Sequence, residues 1–592
     1  MKPSASFLLD VPAASPEAGA RRKVEPVGGA FAVTAQLPTL GDILDWQEGT
    51  CAFDYGYYRF IDHPALRQVQ EGLQAHYGVR HSLAYCSLPA AVLELLDYLL
   101  LARPAMTLKV VSEAGASAAF SLEEALPGLQ APTRATTPDR LGDLGPWSDA
   151  RAEVLVIAVR EPGAFLETHA AWLHGAKAQR VPIVVVSDRI PEKGWMRGPV
   201  LFGVMPLHED RAPVTGGAIL SNADRPMAEL RSRRKLRGPI LSSRNAACFL
   251  GRLPLPWAPC ADAVIHRICA LEQARFGFLF PSGMQAIMTL LALLRRPGKA
   301  QVITVGHLYT DTYSLLSYAR HRVGPVENIF LGVDELDRLP ALLTEQTAAL
   351  LTETITNPLN DVPDLAFIVG EARKHGLPVI VDNTFATPVH CNPLAWGADF
   401  VVHSSTKYFS GRNDHAGGIV LLNDTDAAEA IRVHQDRWGT ALSPLESAVL
   451  WDRLQDLEQR MHRFQANADR LAAFLDGHAA VDRVYYSGLP SHRSHAVARR
   501  LLRGYGSVVS FTLKASGLEG LRRFYDAPLA PILKAPSLGS NQTMVCPYTL
   551  LAHYHEPDEV LEDWGLPRYL IRLAVGCEED IHPVLAALDR AL

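Results

Sequence analysis

The sequence carries the same landmarks twice. HPALRQVQEGL, which includes Pro64, resembles the stretch that begins at Pro259, and Ser87 in AYCSLPAAV matches Ser282 in FLFPSGMQAI; both pairs lie 195 residues apart. VPIVVVSD and LPVIVDNT align Pro182 with Pro378, 196 apart. VTGGAIL and HAGGIVLL align Gly216 with Gly417, 201 apart. RGPILSSRNAACFLGRL and WGTALSPLESAVLWDRL align Gly238 with Gly439 and Arg252 with Arg453, again 201 apart. Unrelated α/β segments can look alike, but they do not hold one register, so a duplicated unit is expected.

The repeat sets the scale of the chain. At 592 residues it is too long for one core. The boundaries read as an N-terminal arm over 1–50, a first copy over 51–255, a second copy over 256–450, and a C-terminal domain over 451–592. Residues 1–35 are rich in Ala, Pro and Gly around a basic cluster at Arg21, Arg22 and Lys23, and read as a flexible arm. EVLVIAVR, PIVVVSD, QVITVG, AALLTET, LPVIVD and ADFVVHS are short Val/Ile/Leu runs without alternation. Such runs fit strands buried on both faces of a parallel sheet, and helical segments separate them. The class is α/β. In the tail, Leu454, Leu457, Met461, Phe464, Ala468, Leu471 and Leu475 predict one long helix from about Leu450. SVVSFTL and YLIRLAVG then alternate, as in a smaller sheet covered on one face: an α+β domain.

Composition excludes several classes. A net charge of −6 is wrong for a globally basic nucleic-acid binder. The basic stretch RSRRKLRG, residues 231–238, reads as a solvated helix face. The most apolar run, VLELLDYLLLA, is too short to span a membrane and contains Glu94 and Asp97. Eight cysteines form no C-x-x-C pair, which argues against a disulfide framework or zinc knuckle and for a reducing cytoplasm. HYHEPDE offers His553, His555 and Glu556, but no further metal ligand at the right spacing, so no metal is expected.

The most specific stretch is VVHSSTKYFSGRNDHAGG, residues 401–418. A strand ends at His403, and Ser404, Thr406 and Lys407 follow. A lysine just past a buried strand can be partly desolvated and nucleophilic, as Schiff-base chemistry requires. The neighbouring hydroxyls suit a phosphate ester. IVDNT puts Asp382 at a strand end, where a carboxylate can hold a pyridinium nitrogen protonated. FLFPSGMQAIMTLLALL puts Ser282, Gly283 and Met284 at the start of an apolar helix, whose free N–H groups favour a phosphate dianion. HLYTDTY supplies Tyr309 as a stacking ring, and ETITNP supplies Asn357. A phosphate cradle, a ring platform, an acid and a lysine together make a site for pyridoxal 5′-phosphate.

This set resembles the cystathionine γ-synthase branch of the Cys/Met-metabolism pyridoxal-phosphate enzymes. YSGLPSHRSH, PSLGS and LIRLAVGCEED are similar to the family's small-domain motifs. LPTLGDILDWQEG, GYYRFIDH, STKYFSG and SNQTMVCPYTLLAHYHE resemble its long, fungal-type subgroup. The resemblance implies a type I pyridoxal-phosphate transferase fold with an aspartate-aminotransferase-like large domain. It implies Lys407 as the Schiff-base lysine and proton shuttle, Asp382 on the ring nitrogen, and Tyr309 stacked on the ring as a further catalytic group. Gly283, Met284, Ser404 and Thr406 would hold the phosphate. Ser537 and Arg572 would bind the substrate α-carboxylate, with Asn357 near the ring hydroxyl. A guanidinium in the strand IRLAV also needs a partner on its own account; a carboxylate substrate or Glu578 or Glu579 would serve.

The chain departs from the common short form at Thr310 and Asp311, where many members have two glycines, and at Asn541, Gln542 and Thr543. It also divides its chemistry between the copies. The family's Tyr-x-Arg pair, which reaches a neighbouring subunit's phosphate, is Tyr57 and Arg59 in the first copy; the second has Arg252 and Pro254 there. Lys407 corresponds by the 201 offset to Pro206, and Met284 by the 195 offset to Pro89. The first copy is therefore expected to be degenerate. The expected reaction is γ-replacement on an O-acyl-L-homoserine, with L-cysteine giving L-cystathionine. Sulfide or a carbon nucleophile, γ-elimination, and a non-catalytic scaffold are the alternatives. The partners are then small amino-acid substrates, with neither nucleic acid nor membrane. The assembly is either a homo-oligomer of pseudo-dimeric chains or a pseudo-dimeric monomer.

Overall fold

The computed structural model describes residues 261–592 almost throughout. Before them it describes 64–102, 107–112, 135–136, 153–159, 182–187, 201–207 and 216–237, with a few further positions, Leu40, Ile43 and Asn245 among them. The segment 1–35 lies outside the described residues.

Three sheets organise the described residues. The first contains β1 (His81–Tyr85), β2 (Thr107–Ser112), β3 (Ala135–Thr136), β4 (Glu153–Val159), β5 (Ile183–Ser187), β6 (Phe202–Pro206) and β7 (Gly217–Ser221), in the order β1-β7-β6-β5-β4-β2-β3. The second contains β8 (Phe276–Phe280), β9 (Gln301–Val305), β10 (Glu327–Leu331), β11 (Thr347–Glu353), β12 (Val379–Asp382), β13 (Phe400–Ser404) and β14 (Gly418–Leu422). Its order, β8-β14-β13-β12-β11-β9-β10, repeats that of the first strand for strand. In each, the strand next to the edge runs antiparallel to both its neighbours and the other pairs are parallel. The apolar runs read from the sequence are the central parallel strands. Their described side chains are mostly buried, as strands covered by helices on both faces require.

Strand register corrects one correspondence. Pro206 pairs with Gly217 as Ser404 pairs with Gly418, so Pro206 matches Ser404 and not Lys407. The connection over 207–216 is three residues shorter than that over 405–417, and it contains no lysine. The same register sets Val186 against Asp382 and Ala158 against Glu353.

Helices repeat as well. α1 (Pro64–Tyr77) precedes β1, α2 (Leu88–Ala102) follows it, and α3 (Asp224–Arg237) follows β7. In the second unit these places are taken by α4 (Ala261–Glu272), α5 (Gly283–Leu294) and α7 (Thr425–Trp438), with α6 (Thr310–Arg322) after β9. α7 begins where the Asp424 carboxylate accepts the Ala427 N–H, and it stops at Gly439, which takes the left-handed conformation at φ +58°.

RSRRKLRG is solvated only at Arg231 and Ser232 among its described side chains. Arg233, Arg234 and Arg237 on α3 are each only 1% exposed. Asp97 on α2 receives Arg233 and Arg237, both at 2.6 Å, and Glu94 takes the Arg237 Nε at 3.0 Å. Arg234 donates to the Ala84 carbonyl and to Gln70 Oε1. The two carboxylates inside an apolar helix provide what buried guanidinium groups need.

The expected single helix from Leu450 is two, α8 (Pro444–Leu454) and α9 (Leu457–Asp476). Arg460 marks the break: it donates to the Arg453, Tyr408 and Phe409 carbonyls and pairs with Asp456. The heptad positions are buried on both helices, so the apolar stripe continues across the break. The third sheet holds β15 (Val481–Tyr485), β16 (Val508–Leu513), β17 (Leu533–Lys534), β18 (Met544–Pro547) and β19 (Ile571–Ala574), ordered β15-β16-β19-β18-β17. Leu40 and Ile43 are fully buried in its core, and Leu40 N–H donates to Asp526 Oδ1 at 2.8 Å. This part of the 1–50 arm is docked on the C-terminal domain.

Candidate active site

The site residues gather at the C-terminal ends of the second sheet's parallel strands, where the third sheet's loops meet them. Such strand ends are where open α/β sheets place ligands. β13 runs to Ser404, one residue past the expected His403, and Lys407 lies in the turn that follows. Lys407 Nζ donates to Ser537 Oγ at 3.3 Å. The loop carrying Ser537 lies directly on the lysine's backbone. Gly539 has φ +71°, and a Cβ there would come within 2.7 Å of the Lys407 carbonyl carbon. Only glycine allows both the conformation and the approach.

Ser537 leads to Arg572 on β19. Arg572 donates to the Pro536 and Ser537 carbonyls, at 2.7 and 3.2 Å, and to Asn357 Oδ1 at 3.0 Å. The Glu578 carboxylate, weighed above as an ion-pair partner, accepts the Thr543 N–H. Asn357 in turn donates to the Tyr548 hydroxyl at 2.9 Å, and the Tyr548 ring lies 4.7 Å under the Arg572 guanidinium. Thr310, one of the departures from the short form, has its hydroxyl 3.5 Å from that of Tyr548. Asp311, the other, accepts from the Tyr309 hydroxyl at 2.8 Å.

Asp382 ends β12 and is paired in register with Glu353 on β11. Both carboxyls are held above the usual carboxylate range. Burial is the main cause for each; the neighbouring Asp382 charge adds to it at Glu353, and bonds from Thr384 oppose it at Asp382. Glu353 accepts the Tyr309 N–H with one oxygen, at 2.7 Å, and the Asn357 N–H with the other, at 3.2 Å. It ties the two loops that carry the site's ring and amide. Neither Glu353 nor Tyr548 was singled out in the sequence. Glu353 had the same signal as Asp382, an acid closing an apolar strand. Tyr548 had none, because its partners are 191 and 238 residues away.

On the opposite side, α5 starts at Gly283 with Met284 buried behind it. A Cβ on Gly283 would approach the Ser404 Cβ to 3.0 Å, so the missing side chain keeps the space between helix start and loop open. Thr384 Oγ1 accepts the Ser404 N–H at 2.8 Å, and Thr406 Oγ1 accepts the Gly417 N–H at 3.1 Å. The structure thus brings together Gly283, Met284, Tyr309, Asn357, Asp382, Ser404, Thr406, Lys407, Ser537 and Arg572. Tyr57 and Arg59 lie outside the described residues.

These residues fit pyridoxal phosphate. The start of α5 lies against Ser404 with the space of a side chain left free at Gly283, which suits a phosphate at the helix N–H groups; Thr406, fully buried, spends its hydroxyl on the Gly417 backbone. A buried carboxyl above its usual range can share its proton with a ring nitrogen, and an amine stands across the site. By register the first sheet has Leu88 where the second has Gly283, Ala158 for Glu353 and Val186 for Asp382.

Comparison with known proteins agrees. Residues 256–592 match the Cys/Met metabolism PLP-dependent enzymes. The chain is 34% identical over 334 residues to the cystathionine beta-lyase of Lactococcus lactis, covering 56% of this chain and 86% of that protein. It is equally identical over the same length to the cystathionine gamma-synthase of Mycobacterium leprae, with 56% and 84% covered. With the cystathionine gamma-lyase of Bacillus subtilis it shares 33%, covering 56% and 86%. A solved cystathionine gamma synthase from Xanthomonas oryzae, in complex with aminoacrylate and cysteine, superposes with a TM-score of 0.53 at 31% identity over 56% of this chain and 84% of that one. A cystathionine gamma-lyase from Lactobacillus plantarum complexed with L-serine gives 0.53 at 32%, over 56% and 85%. The fold is therefore that of the type I pyridoxal-phosphate enzymes and the cofactor is pyridoxal 5′-phosphate: the chain belongs to the Cys/Met metabolism PLP-dependent enzyme family.

Proposed function

We propose that the chain is a γ-replacement enzyme acting on an O-acyl-L-homoserine, with L-cysteine as nucleophile and L-cystathionine as product. The observation that carries this reading is the line Lys407–Ser537–Arg572. An amino acid whose α-carboxylate is held at Arg572 and Ser537 has its α-carbon beside the Lys407 amine. When bound, the cofactor supplies an electron sink for the substrate's α-carbon. Asp382 keeps the proton on the ring nitrogen, and Tyr309 covers the ring face. Gly283, Met284, Ser404 and Thr406 bind the phosphate. Lys407 Nζ removes the α-proton and returns a proton at the end. Between these transfers a proton leaves Cβ, the Cγ–O bond breaks as the acyl group departs as carboxylate, and the thiol, losing its proton, forms the Cγ–S bond as Cβ takes a proton back. Arg572 and Asn357 fix the carboxylate throughout.

In this reading residues 51–255 are a degenerate, non-catalytic copy of the catalytic domain 256–450, and 451–592 complete the site. Two sheets of the same strand order support the duplication. Tyr57 and Arg59 from the first copy reach the phosphate, so that neither copy is sufficient alone.

A γ-elimination reading has support of its own, since lyases match this chain as well as a synthase does. O-acetyl- and O-succinyl-L-homoserine assayed side by side with cysteine, sulfide, a carbon nucleophile and no nucleophile separate the readings. Cystathionine formation with cysteine is the expected result. Ketobutyrate release at the same rate without any nucleophile favours elimination.

A further inference from the structure

Immediately behind the lysine loop lies a buried Ser–His–Glu series that the reaction above does not use. Ser405 Oγ stands 2.9 Å from His415 Nε2, and His415 Nδ1 stands 2.7 Å from Glu446 Oε2. The order of groups is that of a hydrolase triad, but Ser405 is fully buried and a Cβ on Gly417 would collide with its hydroxyl. No substrate can reach that oxygen, so it is not a nucleophile. Its neighbours in the chain are Ser404 and Thr406, with Lys407 next. What the series can do is fix the backbone that carries them.

The series continues out of the catalytic unit. Glu446 lies in the first turn of α8, and its N–H donates to the capping hydroxyl of Ser443 at 3.3 Å. Glu446 Oε2 also takes the Ala416 N–H at 3.5 Å. Ser443 Oγ donates to Asn245 Oδ1 at 3.1 Å. Asn245 belongs to the first copy and stands at the 201 offset from Glu446 itself. All five side chains are buried, so each bond is made where water cannot replace it.

We infer that His415 is a positioning residue: through Ser405 on one side and Glu446, Ser443 and Asn245 on the other, it sets the cofactor-holding loop 404–407 against the first copy. The degenerate copy thereby acts on the site through a hydrogen-bonded path. This inference rests on the proposed role of the Lys407 loop in holding the cofactor and not on which reaction follows.

The test is titration of the apo-protein with pyridoxal phosphate, followed by the absorbance of the lysine-bound cofactor, beside the melting temperature of the apo-protein. Ser405→Ala cuts the last link alone and is expected to weaken cofactor binding about three- to tenfold, the effect of one neutral hydrogen bond. Asn245→Ala, far from the cofactor, is expected to weaken it in the same direction by less. His415→Asn keeps a donor toward Glu446 but loses Ser405, and should match Ser405→Ala. The double variant Ser405→Ala with His415→Asn should be no worse than either alone, because both cut one link. Unchanged cofactor affinity in Ser405→Ala and Asn245→Ala overturns the inference. A lower apo melting temperature with unchanged affinity overturns it too, since the series would then be only structural. Lys407→Ala, titrated in parallel, reports separately: undiminished cofactor retention there is a failure of the lysine assignment, not of the network.

Discussion

Arg237 and Trp438 end corresponding helices, 201 residues apart, and they touch: the guanidinium carbon lies 5.3 Å from the indole centroid. Equivalent positions of two units meet only close to an axis that exchanges the units. The helices repeat the exchange, with α3 packed on α5 and α7 packed on α2. A Cβ on Gly439 would come within 2.5 Å of Ser87 Oγ, so the second unit's helix end sits on the first unit's helix start. Equivalent elements of the two units thus make reciprocal contacts within one chain.

The contact between units is backed by the charges on α2 and α3. Replacing Asp97 with Ala leaves Arg233 and Arg237 buried without that carboxylate, a loss of about 3–5 kcal/mol. Equilibrium denaturation should show a lower midpoint for the variant. Burial alone would raise the Asp97 carboxyl, but Arg237 and Arg233 outweigh it and hold it below the usual range. A depressed acid contributes stability above its unfolded value of about 3.9 and loses it as pH falls through the folded value. The difference between wild type and variant should therefore persist at neutral pH and shrink only in acid.

Lys407→Ala should abolish turnover while leaving the fold intact. Its amine is both the cofactor's tether and the base at the α-carbon, and neither role has a substitute at that place. The circular dichroism spectrum should match wild type. Turnover that survives the substitution rules out the assignment.

Arg59→Ala should weaken cofactor retention by about 1.5–3 kcal/mol, the value of a hydrogen bond to a charged group. Cofactor counted per chain should be one. Two per chain, or unaltered affinity in the variant, would contradict the pseudo-dimeric reading.

Tyr548→Phe keeps the ring under Arg572 and removes the hydroxyl that Asn357 donates to. Asn357 then holds Arg572 less firmly, and KM for the amino-acid substrate should rise about three- to tenfold with kcat changed less. Steady-state kinetics decide it; a fall confined to kcat would mean that Tyr548 acts on the chemistry instead.

The strands, the lysine turn and the repeated strand order were legible in the sequence because each is a local pattern. An apolar run, an acid or lysine at its end, and a glycine at a helix start are visible within ten residues, and the repeat is the same local pattern met again. Asp382, Gly283, Ser404 and Lys407 could be named on that basis. Tertiary structure alone decided whatever depends on partners distant in the chain. RSRRKLRG reads as a wet face until Asp97, 136 and 140 residues from its arginines, is brought alongside. The Lys407–Ser537 contact spans 130 residues and Arg572–Asn357 spans 215. A buried charge or hydrogen bond is stable only with its partner in place, and periodicity in one segment carries no information about a partner folded against it from another.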